Sequence, residues 1–342
     1  AACFGVVLIM LANLIDNAGR LFMQPSEDMA KASSEYQRIR QLSSPFALAG
    51  FVILGIFIGL GRAMLGLALQ LLMNGTNIVL SIYFGFYLEL DVTGVAWGTV
   101  VAEVFAAVVG FYIVFLIFRG WPSPSLDTVW AKRSLYKLFR LNRNLMMRSA
   151  MLLSVFAFFV RAGTELGPVV LAANAILFRF YLMISYFFDG LTAAAEHICG
   201  RSIGSRDSVA LANGVRLTMF WSFVLAIILS VSFYFLGNDF AKIITQEKDI
   251  LHQVDLHLPW AAATALSGFL SFQMDGIFAG ATWSRGMRDT MCVSFVAFLI
   301  ALLIFVPKAG NSGLWASFNA FLFMRGLAMC VVYKIKMREL FF

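Results

Sequence analysis

The sequence predicts an all-α integral membrane protein with about ten transmembrane helices present. Three observations predict it. Hydrophobic residues make up 61% of the 342 residues and charged residues only 13%, whereas soluble domains run near half apolar and a quarter charged. The charges are clustered, and long stretches carry none. Those stretches have the length, roughly 17–25 residues, that a helix needs to cross a bilayer. Together these features exclude disorder, coiled coil, collagen and a water-soluble globule. The net charge of +7 suits nucleic acid in principle. The basic residues, however, sit in short loops between apolar runs, as on the cytoplasmic face of a membrane protein. The expected partners are therefore the lipid bilayer and small organic molecules, with no nucleic acid, and the expected state is a monomer.

Ten apolar runs follow in order, at about 1–15, 45–62, 64–88, 93–118, 145–163, 168–198, 213–237, 258–281, 290–306 and 312–333. The first is short and lacks the basic leader and cleavage site of a signal peptide; it reads as a helix cut in its middle. Loop charges set the orientation. One face holds Arg62, the basic run from Arg119 to Arg148, Arg201, Arg206 and Arg216, Arg285 and Arg288, then Lys334, Lys336 and Arg338. The other holds about half as many, among them Arg20, Arg38, Arg40, Arg161 and Lys242. The first face is expected to be cytoplasmic, with the C-terminus inside and the protein multi-pass in the cell's inner (plasma) membrane. The longest connection contains Trp121-Pro122-Ser123-Pro124. It gives the expected organisation: an N-terminal lobe at 1–120, a cytoplasmic linker at 121–144 and a C-terminal lobe at 145–342.

An internal repeat refines this. Gly55-Ile56-Phe57-Ile58-Gly59 recurs 221 residues later as Gly276-Ile277-Phe278-Ala279-Gly280, and Gly94-Val95-Ala96-Trp97 is echoed 219 residues later by Gly313-Leu314-Trp315. Nearly equal offsets suggest duplicated halves, a common transporter plan. The runs at 145–163 and 168–198 then have no counterparts in the first half. The expectation is an intact protein of twelve helices, in two six-helix lobes related by pseudo-two-fold symmetry, with two helices missing at the N-terminus.

Polar residues within apolar runs point to function, because ionisable groups in lipid are costly. At 168–198, Asn174, Tyr181, Ser185, Asp189, Thr192 and Glu196 share one helix face. At 258–281, Thr264, Ser267, Ser271 and Asp275 do the same, and at 64–88 so do Gln70, Asn74, Asn77 and Ser81. Glu103 lies at 93–118, one turn after Thr99. Such stripes face neighbouring helices or a water-filled cavity. Burial disfavours a charged carboxylate, so Asp189 and Asp275 are candidates to carry a proton, or a cation in its place, through an alternating-access cycle. Glu196 and Glu103 are further candidates, although Glu196 also suits a cap or a pair with Arg201. Arg179 falls off the Asp189 face and has no assigned role; it and Arg325 are the bases expected within the membrane.

Several motifs are set aside. Gly200-Arg201-Ser202-Ile203-Gly204 spells a nucleophile elbow, but that elbow needs a strand-to-helix turn. His252, Asp255 and His257 lack a further ligand for a metal. Cys3, Cys199, Cys292 and Cys330 read as small hydrophobes. The Gly-x-x-x-Gly pairs read as close-packing devices.

Asn142-Arg143 with Arg148, Leu171-Ala172-Ala173-Asn174, Asp189-Gly190 with Ala195-Glu196 and Gly200, and Asp275-Gly276-Ile277-Phe278-Ala279-Gly280-Ala281-Thr282 together resemble the DinF-type branch of the MATE (multidrug and toxic compound extrusion) transporters. So do Asn74-Gly75-Thr76-Asn77 and Gly94 to Glu103. The resemblance covers essentially the whole chain. It implies a twelve-helix exporter that exchanges H⁺ or Na⁺ for organic, often aromatic and cationic, compounds, with no cofactor. It also implies a first helix, carrying a cation-coupling aspartate, before Ala1. The alternatives are a lipid-linked oligosaccharide flippase, which needs a strongly cationic cavity, and a membrane-embedded enzyme, for which no nucleophile–base or metal motif appears.

Overall fold

The computed structural model describes residue 5, residues 9–10, 27–120 and 132–341. The expected run at 1–15 and the Trp-Pro-Ser-Pro segment therefore lie largely or wholly outside the described residues. Among the described residues the regular elements are all helices. They are α1 (Glu27–Leu42), α2 (Ser44–Gly59), α3 (Ala63–Ile82, ending in a π-turn over Tyr83–Tyr87), α4 (Asp91–Phe118), α5 (Lys132–Glu165), α6 (Pro168–Gly204), α7 (Ser208–Ile244), α8 (Lys248–Gly280) and α9 (Ser284–Phe341). The last is two arms joined at a break at Gly310, φ 55°.

Among the described residues six helices are long and apolar enough to cross a membrane: α3 with its π-turn, α4, the Asn142–Glu165 part of α5, α6, α7 and α9. The end of α1 and α2, bent by 53° at their junction, form a seventh candidate. The run at 258–281 is helical but falls short of that apolarity. Its helix, α8, is the central helix of its unit, packed against α6, α7 and α9, and it carries the buried polar residues Thr264, Ser271 and Gln273. The linker expected at 121–144 is helical from Lys132 onward and runs unbroken into α5. No Gly or Pro stands between Pro124 and Gly163 to stop it.

α2, α4, α6 and α8 end in the same way. The amides of two successive residues turn back to carbonyls of the last turn: Gly61 to Ile58 and Arg62 to Phe57, Arg119 to Leu116 and Gly120 to Phe115, Arg206 to Ile203 and Asp207 to Ser202, Thr282 to Ala279 and Trp283 to Phe278. In each case the first residue has positive φ, as in a Schellman cap. Arg119 and Arg206 also bring positive charge to the negative end of a helix. Asp207 then caps α7, its Oδ1 accepting from the amides of Val209 and Ala210.

The chain divides into two compact units, Ala1–Val129 and Trp130–Phe342. The first packs α2, α3 and α4 around Ile53, Phe57, Leu69, Ala106 and Val114. In the second, α8 is enclosed by its neighbours, and an aromatic nest of Phe156, Phe159, Phe178, Tyr181, Trp315 and Phe318 fills the space between α5, α6 and α9. Outer faces are apolar: Phe51 is 70% exposed and Leu303 73%. Such faces suit hydrocarbon and would be a liability in water.

Glycines decide two kinds of contact. A Cβ on Gly276 would lie 2.2 Å from the Thr192 carbonyl oxygen, and one on Gly280 2.2 Å from that of Glu196, so α6 and α8 touch backbone to backbone. The equivalent Gly55 and Gly59 have nothing within 4 Å of a Cβ. Of these two repeat-related pairs close packing holds for Gly276 and Gly280 alone; Gly94 and Gly98 form a further close pair, with Phe84 and Ser81 backbone atoms 2.7 and 2.8 Å from a Cβ. The second repeat match has a shared geometry. Gly94 approaches the carbonyl of Phe84 and Gly313 that of Phe305, each where a helix returns on the one before it. Phe84 and Phe305 are themselves 221 residues apart.

Candidate functional site

Unit 2 builds its site around one carboxylate. Asp275, in the second half of α8, receives Arg148 of α5 at 2.5 Å and Arg325 of the second arm of α9, both on Oδ2. Arg325 is 3% exposed, Asp275 13% and Arg148 19%. Charges this far from water persist only when paired, and the two-to-one ratio leaves the cluster with a positive excess. Asp275 Oδ1 and Arg148 Nε are buried with no hydrogen-bond partner.

This changes two expectations. Arg148 is not a loop charge: it lies in the span part of α5 and is a further base within the apolar spans of this unit, beside Arg179 and Arg325. Its position just inside the apolar run at 145–163 is the signal that the charge count passed over. Asp275 is not an open carboxylate but the centre of an ion triad that ties α5, α8 and α9 together.

Asp189 is different. It is exposed on α6, has no ion pair among the described residues, and lies within electrostatic reach of Asp275. Tyr181, buried in the aromatic nest, feels Arg325, Asp275, Arg148 and Asp189 together. The two aspartates that the sequence singles out thus belong to one charged neighbourhood. Glu196 is exposed further along α6 and has no ion pair with Arg201 among the described residues.

The remaining polar candidates hold helices. Asn174 and Asn311 exchange amide hydrogen bonds at 2.7 and 3.0 Å, and the Trp315 indole N–H donates to Asn174 Oδ1 at 2.9 Å. Ser185 and Ser271 donate to carbonyls of their own helices, Leu182 and Gly268. Thr192 reaches across from α6 to the Phe272 carbonyl of α8 at 3.2 Å. Ser267 donates to Asn319, whose amide donates in turn to the carbonyls of Trp260 and Trp315. Asn311, Trp315 and Asn319 recur every four residues and share one face of α9; Trp315 enters the sequence reading through the repeat alone, and this stripe is not among those singled out there.

Unit 1 holds a smaller arrangement. Glu103 of α4 pairs with Arg40 of α1 at 2.9 Å, and its Oε2 is buried with no hydrogen-bond partner. Arg40 sits at the bend between α1 and α2, where the Ser43 hydroxyl donates to its carbonyl. The pair borders a cavity of about 230 Å³ lined also by Phe46, Phe51, Gln70 and Met73. Arg40 counts among the loop charges in the sequence, and Glu103 is a candidate there with no partner named. Asn74 is exposed and Asn77 half-buried, away from that lining.

The comparisons with known proteins agree with this architecture. The MatE family model matches residues 145–306. The chain is 30% identical to DNA damage-inducible protein F of Escherichia coli (strain K12) over 332 residues, covering 96% of this chain and 72% of that protein. It is 26% identical to Protein DETOXIFICATION 43 of Arabidopsis thaliana, of which it spans 60%. It is 21% identical to the multidrug export protein MepA of Staphylococcus aureus (strain MSSA476), of which it spans 74%. Among solved structures, a MOP superfamily transporter from Pyrococcus furiosus superposes with a TM-score of 0.90 at 16% identity, covering 99% of this chain and 76% of that one. The Vibrio cholerae MATE transporter VcmN in its bent form gives 0.84 at 18% identity, with the same coverage. The family match and the multidrug export protein among the relatives point to transport, so the membrane-enzyme reading falls away. This multi-pass membrane protein belongs to the MatE family of transporters.

Proposed function

We propose that the protein is a secondary antiporter that exports organic compounds, often cationic or aromatic, in exchange for H⁺ or Na⁺ by alternating access. In this reading it works as a monomer in the plasma membrane, with its C-terminus in the cytoplasm, and the described helices belong to two six-helix lobes. The observation that carries the reading is Asp189. An exposed carboxylate without an ion-pair partner, on an apolar helix, is costly unless it exchanges a cation. Asp275, held by two arginines, sets the field around it: a proton or Na⁺ on Asp189 changes the balance of a cluster that links three helices. Cation binding is thereby tied to the packing of α5, α8 and α9, which is what coupling requires.

The flippase reading needs a strongly cationic cavity. The ion triad carries a single net positive charge and Asp189 lies in the same neighbourhood, which falls short of such a cavity, so the antiporter fits better.

The test is transport in everted membrane vesicles from cells that express the protein from its own gene. Under an imposed H⁺ or Na⁺ gradient they should accumulate a fluorescent organic cation above vesicles without the protein. No accumulation under either gradient would contradict the proposal.

A further inference from the structure

The geometry points to a second subsite in unit 2, a cavity between α5 and α6 that takes an aromatic carboxylate through Arg179. It goes beyond the transporter reading above and stands on the lining of this cavity, naming the ligand class that the cavity takes.

The cavity holds about 300 Å³, the lower end of the range for small-molecule sites. Phe159 and Gly163 of α5 and Leu171, Asn174, Phe178 and Arg179 of α6 line it. The rings of Phe159 and Phe178 stand 5.8 Å apart, tilted by 37°, and form an aromatic wall. A flat apolar body packs against such a wall in offset or edge-on contact. The amide of Asn174 is already engaged by Asn311 and Trp315. The polar chemistry of the cavity therefore falls to Arg179, the one charged residue of this lining.

Arg179, exposed on α6, differs from Arg148, Arg325 and Arg161. Arg148 and Arg325 share Asp275, and Arg161, nearer the end of α5, pairs with Glu165. Arg179 has no ion pair among the described residues. Asp189 stands ten residues further along α6, about 15 Å up the helix axis, too far to neutralise it. A guanidinium in an apolar span is costly. Its planar fork matches a carboxylate bidentately. With no carboxylate in the lining, the cavity rejects an organic cation. An aromatic acid answers both features: its ring meets Phe159 and Phe178 and its carboxylate meets Arg179.

The experiment measures equilibrium binding of three probes to the purified protein in neutral detergent: 2-naphthoate, its uncharged analogue 2-naphthamide, and the cation 2-naphthylmethylammonium. Naphthoate should bind best. Arg179→Gln should weaken naphthoate by roughly ten- to a hundred-fold, the value of a charge-assisted hydrogen bond, and leave the amide unchanged. Arg179→Lys should retain part of the preference. Ala175 also lines the cavity, so Ala175→Trp, which fills it, should weaken naphthoate and the amide alike. Equal binding of all three probes, or naphthoate affinity unchanged by Arg179→Gln, would overturn the proposal. The same titration in nanodiscs separates the source of the anion: loss of naphthoate binding only in discs containing an anionic phospholipid would make this a lipid site and overturn it too. Cation export, read separately, tests the transporter reading. Export that persists in Arg179→Gln while naphthoate binding is lost supports both, and naphthoate binding without any export leaves only the transporter reading refuted.

Discussion

Asp275→Asn isolates the physical role of the ion triad. The substitution keeps the shape of the side chain and removes its charge, so two guanidinium groups remain in an interior where Arg325 is 3% exposed and Arg148 19%. Breaking a buried pair by removing one partner costs about 3–5 kcal/mol, because the orphaned charge has no water to turn to. Here two charges are orphaned at once. Arg148 lies six residues past the start of the span part of α5 and can lean toward the helix end, so the lower half of that range is expected. The assay is unfolding of the purified protein by denaturing detergent, followed by loss of helical circular dichroism. Asp275→Asn should lose about 3 kcal/mol. Adding Arg325→Met removes the more deeply buried orphan, so the double variant should be more stable than the single one, a coupling read directly from the cycle. A single variant within 1 kcal/mol of wild type, or a double variant no more stable than the single, would refute the reasoning.

Two further outcomes follow from the packing. Asn174→Ala strands the Trp315 indole N–H and the Asn311 amide, and each stranded group costs about 1–3 kcal/mol, visible in the same unfolding assay. Gly280→Val places a side chain where a Cβ alone would meet the Glu196 carbonyl at 2.2 Å. It should push α6 and α8 apart and raise the distance between spin labels on those helices; an unchanged distance would mean that the contact is looser than described.

Much of the fold was legible because lipid imposes a simple rule. Apolar runs long enough to cross hydrocarbon must be helices, and every run from 45–62 onward falls on a helix. The central helix α8 was read from its polar stripe as readily as from its hydropathy. Within the expected linker the helix from Lys132 into α5 was not legible in the charge pattern, although the absence of Gly and Pro between Pro124 and Gly163 allows it. The site was half legible. Periodicity placed Asn174, Tyr181, Ser185 and Asp189 on one face of α6, yet it could not tell which hydroxyls bond their own backbone and which residue stays open. Pairing across helices was beyond it. Arg148 and Asp275 are 127 residues apart, and Arg40 and Glu103 meet only because α1 and α4 do. Those contacts depend on tertiary packing, which one-dimensional spacing does not contain.

The central claim is that the open carboxylate of Asp189 exchanges the coupling cation while Asp275 holds the helices. It is tested most directly by ion-gradient-driven efflux of an organic cation in vesicles carrying Asp189→Asn, against Asp189→Glu and wild type at equal amounts of inserted protein. The account predicts that Asp189→Asn loses gradient-driven efflux, still binds the cation, and is partly rescued by glutamate. Wild-type efflux by Asp189→Asn would contradict it.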